Sequence, residues 1–170
     1  MITLAKPDAV YKAPYLEMLE YWKSTGEPLE PWVLREDASD FDALIRRLDD
    51  LACGSCISSI VPSSTYWICN DETGKIVGAV NIRHYLNEEL LRVWGNIGYG
   101  IRPDERNKGY ATRALALALD KCRALRLKRV LLGCYKDNAA SARVIQKNGG
   151  ILENEIAEGG KTVQRYWIEL

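Results

Sequence analysis

The stretch from Ile97 to Thr112, Ile-Gly-Tyr-Gly-Ile-Arg-Pro-Asp-Glu-Arg-Asn-Lys-Gly-Tyr-Ala-Thr, constrains this fold more than any other part of the chain. Ile97, Tyr99 and Ile101 alternate with Gly98, Gly100 and Arg102, the period of a strand. Pro103 removes a backbone donor and ends that strand. From Ala111 the apolar spacing becomes helical, with Ala111, Leu115, Ala118, Cys122 and Leu125 on one face. The turn between them brings unpaired backbone N–H groups and the positive end of a helix dipole to one point. Such a helix start binds phosphate without any particular side chain. Gly109 lets a diphosphate approach the backbone, and Arg106 and Lys108 add positive charge. The turn has no Gly-Lys-Ser/Thr ending, so it is not a Walker A loop. Gly98 and Gly100 lie inside the strand, so the dinucleotide fingerprint fails as well.

Downstream, Arg129 to Tyr135 has the character of a buried strand and is followed by Lys136-Asp137-Asn138. Ala139 to Asn148 then reads as a short helix, Gly149-Gly150 as its stop, and Ile151-Leu152 as the start of another strand. The Arg106-x-x-Gly109-x-Ala111 turn and this second block together resemble the GNAT superfamily, the acyl-CoA-dependent N-acetyltransferases. Asn138-x-x-Ser141, with Val144, Lys147 and Gly149 behind it, most resembles the branch that acetylates ribosomal-protein N-termini. The resemblance implies acetyl-CoA as cosubstrate and no metal. It assigns the backbone of Ile101 and Arg102 to the pantetheine arm, and the N–H groups of Arg106, Asn107, Lys108, Gly109, Tyr110, Ala111 and Thr112 to the pyrophosphate. Asn138 and Ser141 would hold the pantetheine arm and the acetyl group.

The remaining chain is compatible with this layout. Ile2-Thr3-Leu4 reads as an edge strand, and residues 8–24 have helical character that Pro14 interrupts early. Gly26 to Trp32 is a Pro-containing loop, Asp40 to Leu51 an amphipathic helix, and 52–64 a loop. Tyr66–Cys69 and Ile76–Arg83 form a hairpin around Asp71-Glu72-Thr73-Gly74. Arg92–Arg102 is read as the third strand of a meander. A helix over about 107–125, the strand 129–134, the helix 139–148 and strands 151–156 and 162–169 complete the chain. The expected fold is a single mixed α/β domain over residues 1–170. It has about seven strands and about four helices, a crossover between 97–102 and 129–134 implying a locally parallel pair. In the resembling family that pair splays apart around the cofactor.

Lys plus Arg and Asp plus Glu both total 23, so bulk charge favours neither nucleic acid nor a membrane surface. No segment has the pattern of a leader or a membrane span, and five cysteines suit a reducing cytoplasm. Cys53-Gly-Ser-Cys56 has metal-ligand spacing, but His84 is the only histidine and no second pair follows, so a zinc site is not expected. The expected partner is a small-molecule or peptide amine, and a homodimer is left open.

The family's usual tyrosine is missing from 139–148, which leaves Ser141 as the expected proton donor to the leaving thiolate and Tyr135 and Tyr166 behind it. Helix capping is the competing role for Ser141. Glu88, Glu89, Glu105 and His84 are the titratable candidates for deprotonating the amine, with Asn96 as a hydrogen-bonding neighbour. Residues 8–56, the 84–95 loop and the last hairpin should form the acceptor pocket, with Trp22, Trp32, Tyr85, Trp94, Tyr166 and Trp167 as candidate lining. An enzyme is the main expectation. A catalytically silent acyl-CoA sensor and an interaction domain without a phosphate site are the readings from other classes.

Overall fold

The computed structural model describes residues 1–54 and 60–170. Cys56, and with it half of the Cys53/Cys56 pair, lies outside the described residues. The chain starts with strand β1 (Ile2–Ala5) and helices α1 (Lys12–Ser24) and α2 (Phe41–Cys53). Pro14 sits in the first turn of α1, where its missing N–H has no helical partner to lose, so it starts the helix instead of breaking it. The Asp40 carboxylate accepts the Ala43 N–H at 3.0 Å and caps α2.

Strands β2 (Ser63–Asn70), β3 (Lys75–Arg83) and β4 (Ile97–Ile101) join β1 in a four-stranded antiparallel sheet ordered β1-β2-β3-β4. The long helix α3 (Tyr110–Ala124) follows, then β5 (Arg129–Tyr135), α4 (Ala139–Lys147), β6 (Ile151–Glu158) and β7 (Lys161–Glu169). The last three strands form a second antiparallel sheet ordered β5-β7-β6. Helices α1 and α2 cover one face of the first sheet with Tyr15, Met18, Trp22, Phe41, Leu44 and Leu48. On its other face α3 packs Ala114, Leu115, Ala118 and Cys122 into a core that runs on into the second sheet through Val130, Leu132 and Ile168. Strand β3 is consequently buried on both faces, which explains its nearly continuous apolar run.

The crossover through α3 is present, but no ladder joins β4 to β5 among the described residues. The two strands splay, and the opening separates the sheets. Asn96 holds the point of divergence. Its backbone N–H donates to the Leu131 carbonyl at 2.7 Å, and its carbonyl accepts the Arg83 N–H at 2.8 Å. Its side-chain oxygen accepts the Leu131 N–H at 3.0 Å, and Nδ2 donates to the Arg83 carbonyl at 3.3 Å. One buried amide thereby replaces a peptide group between two strands that have no ladder between them. The reading of Asn96 as a neighbour of the reacting amine is corrected to this structural one.

The strand read as Arg92–Arg102 begins only at Ile97. Leu90–Trp94 winds into a single π-helical turn, closed by the Gly95 N–H on the Leu90 carbonyl at 2.7 Å. Gly95 then takes φ 69°, and a Cβ there would lie 2.0 Å from the Leu131 oxygen. Only glycine meets both conditions. The strand read as Tyr66–Cys69 begins earlier than expected, at Ser63.

Candidate active site

The ladder between β3 and β4 decides which groups face the opening. The Arg102 N–H donates to Val77 and the Arg83 N–H to Asn96, so the even-numbered residues of β4 exchange bonds with β3. By antiparallel alternation the N–H groups of Tyr99 and Ile101 point the other way, into the gap. The Ile101 carbonyl accepts Arg106 Nε at 3.0 Å, and its N–H has no acceptor among the described residues. Arg102 differs from expectation. Its N–H is spent on β3, and its side chain is buried, held by Glu17 and by Asp104 at 2.7 Å and lying over the Tyr21 ring. These partners keep the guanidinium charged and turn it away from the gap.

At one end of the gap the turn leading to α3 carries Asn107 at φ 63° and Gly109 at φ 79°. Gly109 is the N-cap of α3 and has no side-chain cap. The first helical bond is Arg113 N–H to the Gly109 carbonyl at 3.2 Å, and the N–H groups of residues 107 to 112 have no acceptor among the described residues. A Cβ on Gly109 would meet nothing within 4 Å, so the backbone there lies open. The basic side chains of this turn are already committed. Arg106 pairs with Glu27 at 2.7 Å, and Lys108 with Glu105 at 2.7 Å. The Tyr110 hydroxyl accepts the Asn70 amide at 3.1 Å, pinning α3 to the end of β2. The anion-binding capacity of this end therefore lies in backbone amides and the helix dipole.

Across the gap, Asn138 caps α4 by accepting the Ser141 N–H at 3.0 Å. The Ser141 hydroxyl lies 2.9 Å from the Tyr99 hydroxyl, which reaches over from β4. Burial raises the Tyr99 pKa far above the ordinary phenol range, so the phenol keeps its proton. A phenol thus reaches the start of α4 from β4. Tyr99 went unrecognised because its alternation with Ile97 and Ile101 is explained by strand packing alone. Cys134 is buried in the same wall, and burial lifts its thiol to about 11, which keeps it protonated.

Beyond this pair the gap widens into a cavity of about 750 Å³. Its walls come from the 28–35 loop, residues 60–63, the 87–94 turn, β4, β5 and the start of α4. Trp32 and Trp94 line it, whereas Trp22 and Tyr166 are core residues and Tyr85 is exposed to solvent. Trp167 lies beneath the Arg129 guanidinium at 4.2 Å. Helix α1 contributes nothing to the walls, and the last hairpin only Lys161. Of the carboxylates considered for the base, Glu89 lines the cavity. Glu105 is tied to Lys108, and Glu88 lies outside the lining. His84 shares a 2.8 Å hydrogen bond with Ser64 outside the cavity, and burial lowers its pKa. Arg83, Tyr99 and Glu30 also line the cavity, and sequence reasoning did not single them out as site residues. Among the described residues no cluster of His, Cys, Asp or Glu has the arrangement of a metal site, and no helix is long and apolar enough to cross a membrane.

Residues 11–151 match the acetyltransferase (GNAT) domain family, and the chain belongs to that family. No curated sequence relative matches. Among solved structures, RimJ of Mycobacterium smegmatis, determined with a CoA disulfide, is 22% identical and superposes with a TM-score of 0.74 over 99% of this chain and 81% of its own. RimL, a ribosomal L7/L12 α-N-protein acetyltransferase determined with coenzyme A, is 17% identical, with a TM-score of 0.71 over 99% and 94%. The microcin C7 self-immunity acetyltransferase MccE, determined with acetyl-CoA and AMP, is 20% identical, with a TM-score of 0.70 over 99% and 92%. The protein is thus an acyltransferase with the fold that these enzymes share.

Proposed function

We propose that this protein is an N-acetyltransferase that moves the acetyl group of acetyl-CoA onto a primary amine of a small molecule or peptide. The observation that carries the reading is the meeting of two features in one gap: uncapped amides at the start of α3 and the Ser141–Tyr99 hydroxyl pair. The residues fit the cosubstrate at each point where it needs a partner. The N–H groups of Arg106, Asn107, Lys108, Gly109, Tyr110, Ala111 and Thr112 face the diphosphate in this reading. The Arg106 amide takes part least, because it already donates to the Pro103 carbonyl at 3.4 Å. Outward-facing amides of Tyr99 and Ile101 hold the pantetheine arm, and either is aimed to donate to a carbonyl oxygen that gains charge. Asn138 acts one step back, by fixing the start of α4 and thus Ser141.

Bound acetyl-CoA supplies the activated acyl carbon and the leaving thiolate. Ser141, backed by the still-protonated Tyr99, donates the proton that the thiolate takes up. Glu89 is placed to accept the amine proton, directly or through water. RimL's ribosomal acceptor and the proximity of RimJ keep a peptide terminus within the acceptor class. The test is CoA release from acetyl-CoA across a broad amine panel. Amine-dependent release that falls in Ser141→Ala supports the reading, and tight acetyl-CoA binding without turnover on any amine would replace it with a sensor.

A further inference from the structure

Guanidinium groups withdrawn from solvent normally have a carboxylate beside them, because an unpaired buried charge is costly. Arg102 and Arg165 follow that rule, with Glu17 and Asp104 around the first and Glu153 at 2.7 Å from the second. Arg83 does not. Among the described residues its guanidinium makes one hydrogen bond, from Nη1 to the Gly95 carbonyl at 3.2 Å, and no ion pair. Burial pulls its pKa below the ordinary arginine value, against the weaker influence of Glu30 and Glu89. Its guanidinium lines the cavity beside Gly98, where a Cβ would stand 3.8 Å from both Nη atoms. Glycine at 98 keeps that face of the fork clear.

The position along β4 separates this cation from the cosubstrate. Ile101, next to Arg106, marks the phosphate end of the strand. Gly98 is three residues away, roughly 10 Å at strand rise, on the side of the cavity. A ligand running from α3 along β4 passes Tyr99 before it reaches Arg83. The remaining cavity cations are engaged, Arg35 with Glu30 and Lys161 with Asp137 at 3.8 Å. We infer that Arg83 is a specificity residue that receives a carboxylate carried by the amine acceptor, which makes the acceptor an amino acid or an acidic peptide instead of a polyamine. The planar fork matches a carboxylate in two parallel hydrogen bonds. Trp32 and Trp94 supply apolar surface to the same cavity. The inference rests on the acetyltransferase reading and specifies its acceptor.

The experiment is calorimetric titration of the CoA-saturated protein with matched probes. Glycine, alanine, aspartate, glutamate, Ala-Asp and Ala-Glu are each compared with the corresponding carboxamide, and spermidine is the cationic control. At least one carboxylate probe should bind about tenfold or more tightly than its carboxamide, and spermidine should not bind. Arg83→Gln should equalise the pair, whereas Arg83→Lys, which keeps the charge without the fork, should retain part of the preference. Thermal melting of both variants shows whether each is folded, and the wild-type pairs carry the test without either. Equal binding within every pair, no binding by any carboxylate probe, preference for spermidine, or a preference that survives in folded Arg83→Gln would overturn the inference. Acetyl-CoA binding by the wild type is measured separately. Its failure removes the acetyltransferase reading, whereas failure of the matched pairs alone removes only the role of Arg83.

Discussion

At the α3 end of the β4–β5 gap, the groups that face inward are backbone amides from one continuous segment. At the opposite end they are side chains from the 28–35 loop, the end of β3, the 87–94 turn and β5. The first end offers a ligand what any chain possesses and is specified by where glycine and the helix start fall. The second end binds through which side chains a loop happens to present. One end can therefore serve the same cosubstrate in proteins of low identity, while the other is free to change acceptor. The charges differ in the same way. Arg106 and Lys108 are paired and brace the turn, whereas the half-buried Arg83 forms no ion pair among the described residues.

The largest expected effect breaks the backbone end. Gly109→Glu places a negative side chain against the free amides and should weaken acetyl-CoA binding by at least about 100-fold in calorimetry. Gly109→Ala separates strain from charge. It should cost about 1 kcal/mol of stability for the positive φ and change affinity far less. Next, Tyr99→Phe and Ser141→Ala should each lower kcat about 100-fold while acetyl-CoA affinity stays within about threefold. The double variant should be hardly slower than the worse single one, because the two hydroxyls act together. An unchanged rate in Ser141→Ala would leave that residue only its place in the first turn of α4.

Asn96→Leu tests the wedge that opens the gap. It strands the Leu131 N–H and the Arg83 carbonyl in the interior and should cost about 2–3 kcal/mol in urea unfolding. Arg102→Met should lose about 1–2 kcal/mol of stability, with acetyl-CoA affinity unchanged. A specific loss of affinity would return Arg102 to the cofactor side of the comparison. The smallest effect is a pH dependence. The hydrogen bond from Arg102 holds the Glu17 carboxyl below its ordinary range. Its contribution is therefore present above the unfolded glutamate value and is lost as pH falls through the lower folded one. Glu17→Gln should flatten stability in that acidic window, and the effect is small because Glu17 is half exposed.

The backbone end was readable before any coordinates because its information is contiguous. Strand period, Pro103, Gly109 and helical period follow one another within residues 97–125, and the structure places β4 and α3 within that span. The same holds for Asn138 and Ser141, three residues apart on a helix start. What escaped depends on distance in sequence. Tyr99 and Ser141 meet across 42 residues, and a tyrosine in strand alternation looks like packing. The strand expected over Arg92–Arg102 overlaps the π-helical turn at 92–94, whose cause, the close approach of Gly95 to Leu131, lies on another strand. Arg83 at a strand end resembles any solvated arginine until the fold encloses it. The aromatic residues divided between core and cavity according to where helix α1, the 28–35 loop and the 90–94 turn place them, and composition alone does not encode that.

Calorimetric titration of the wild-type protein with acetyl-CoA, with desulfo-CoA and ATP as controls, tests the account most directly. The uncapped amides of α3 and the outward-facing amides of β4 predict micromolar binding of acetyl-CoA and desulfo-CoA, with no comparable binding of ATP. Absence of acetyl-CoA binding, or ATP binding of equal strength, would contradict the assignment of this gap to the cosubstrate.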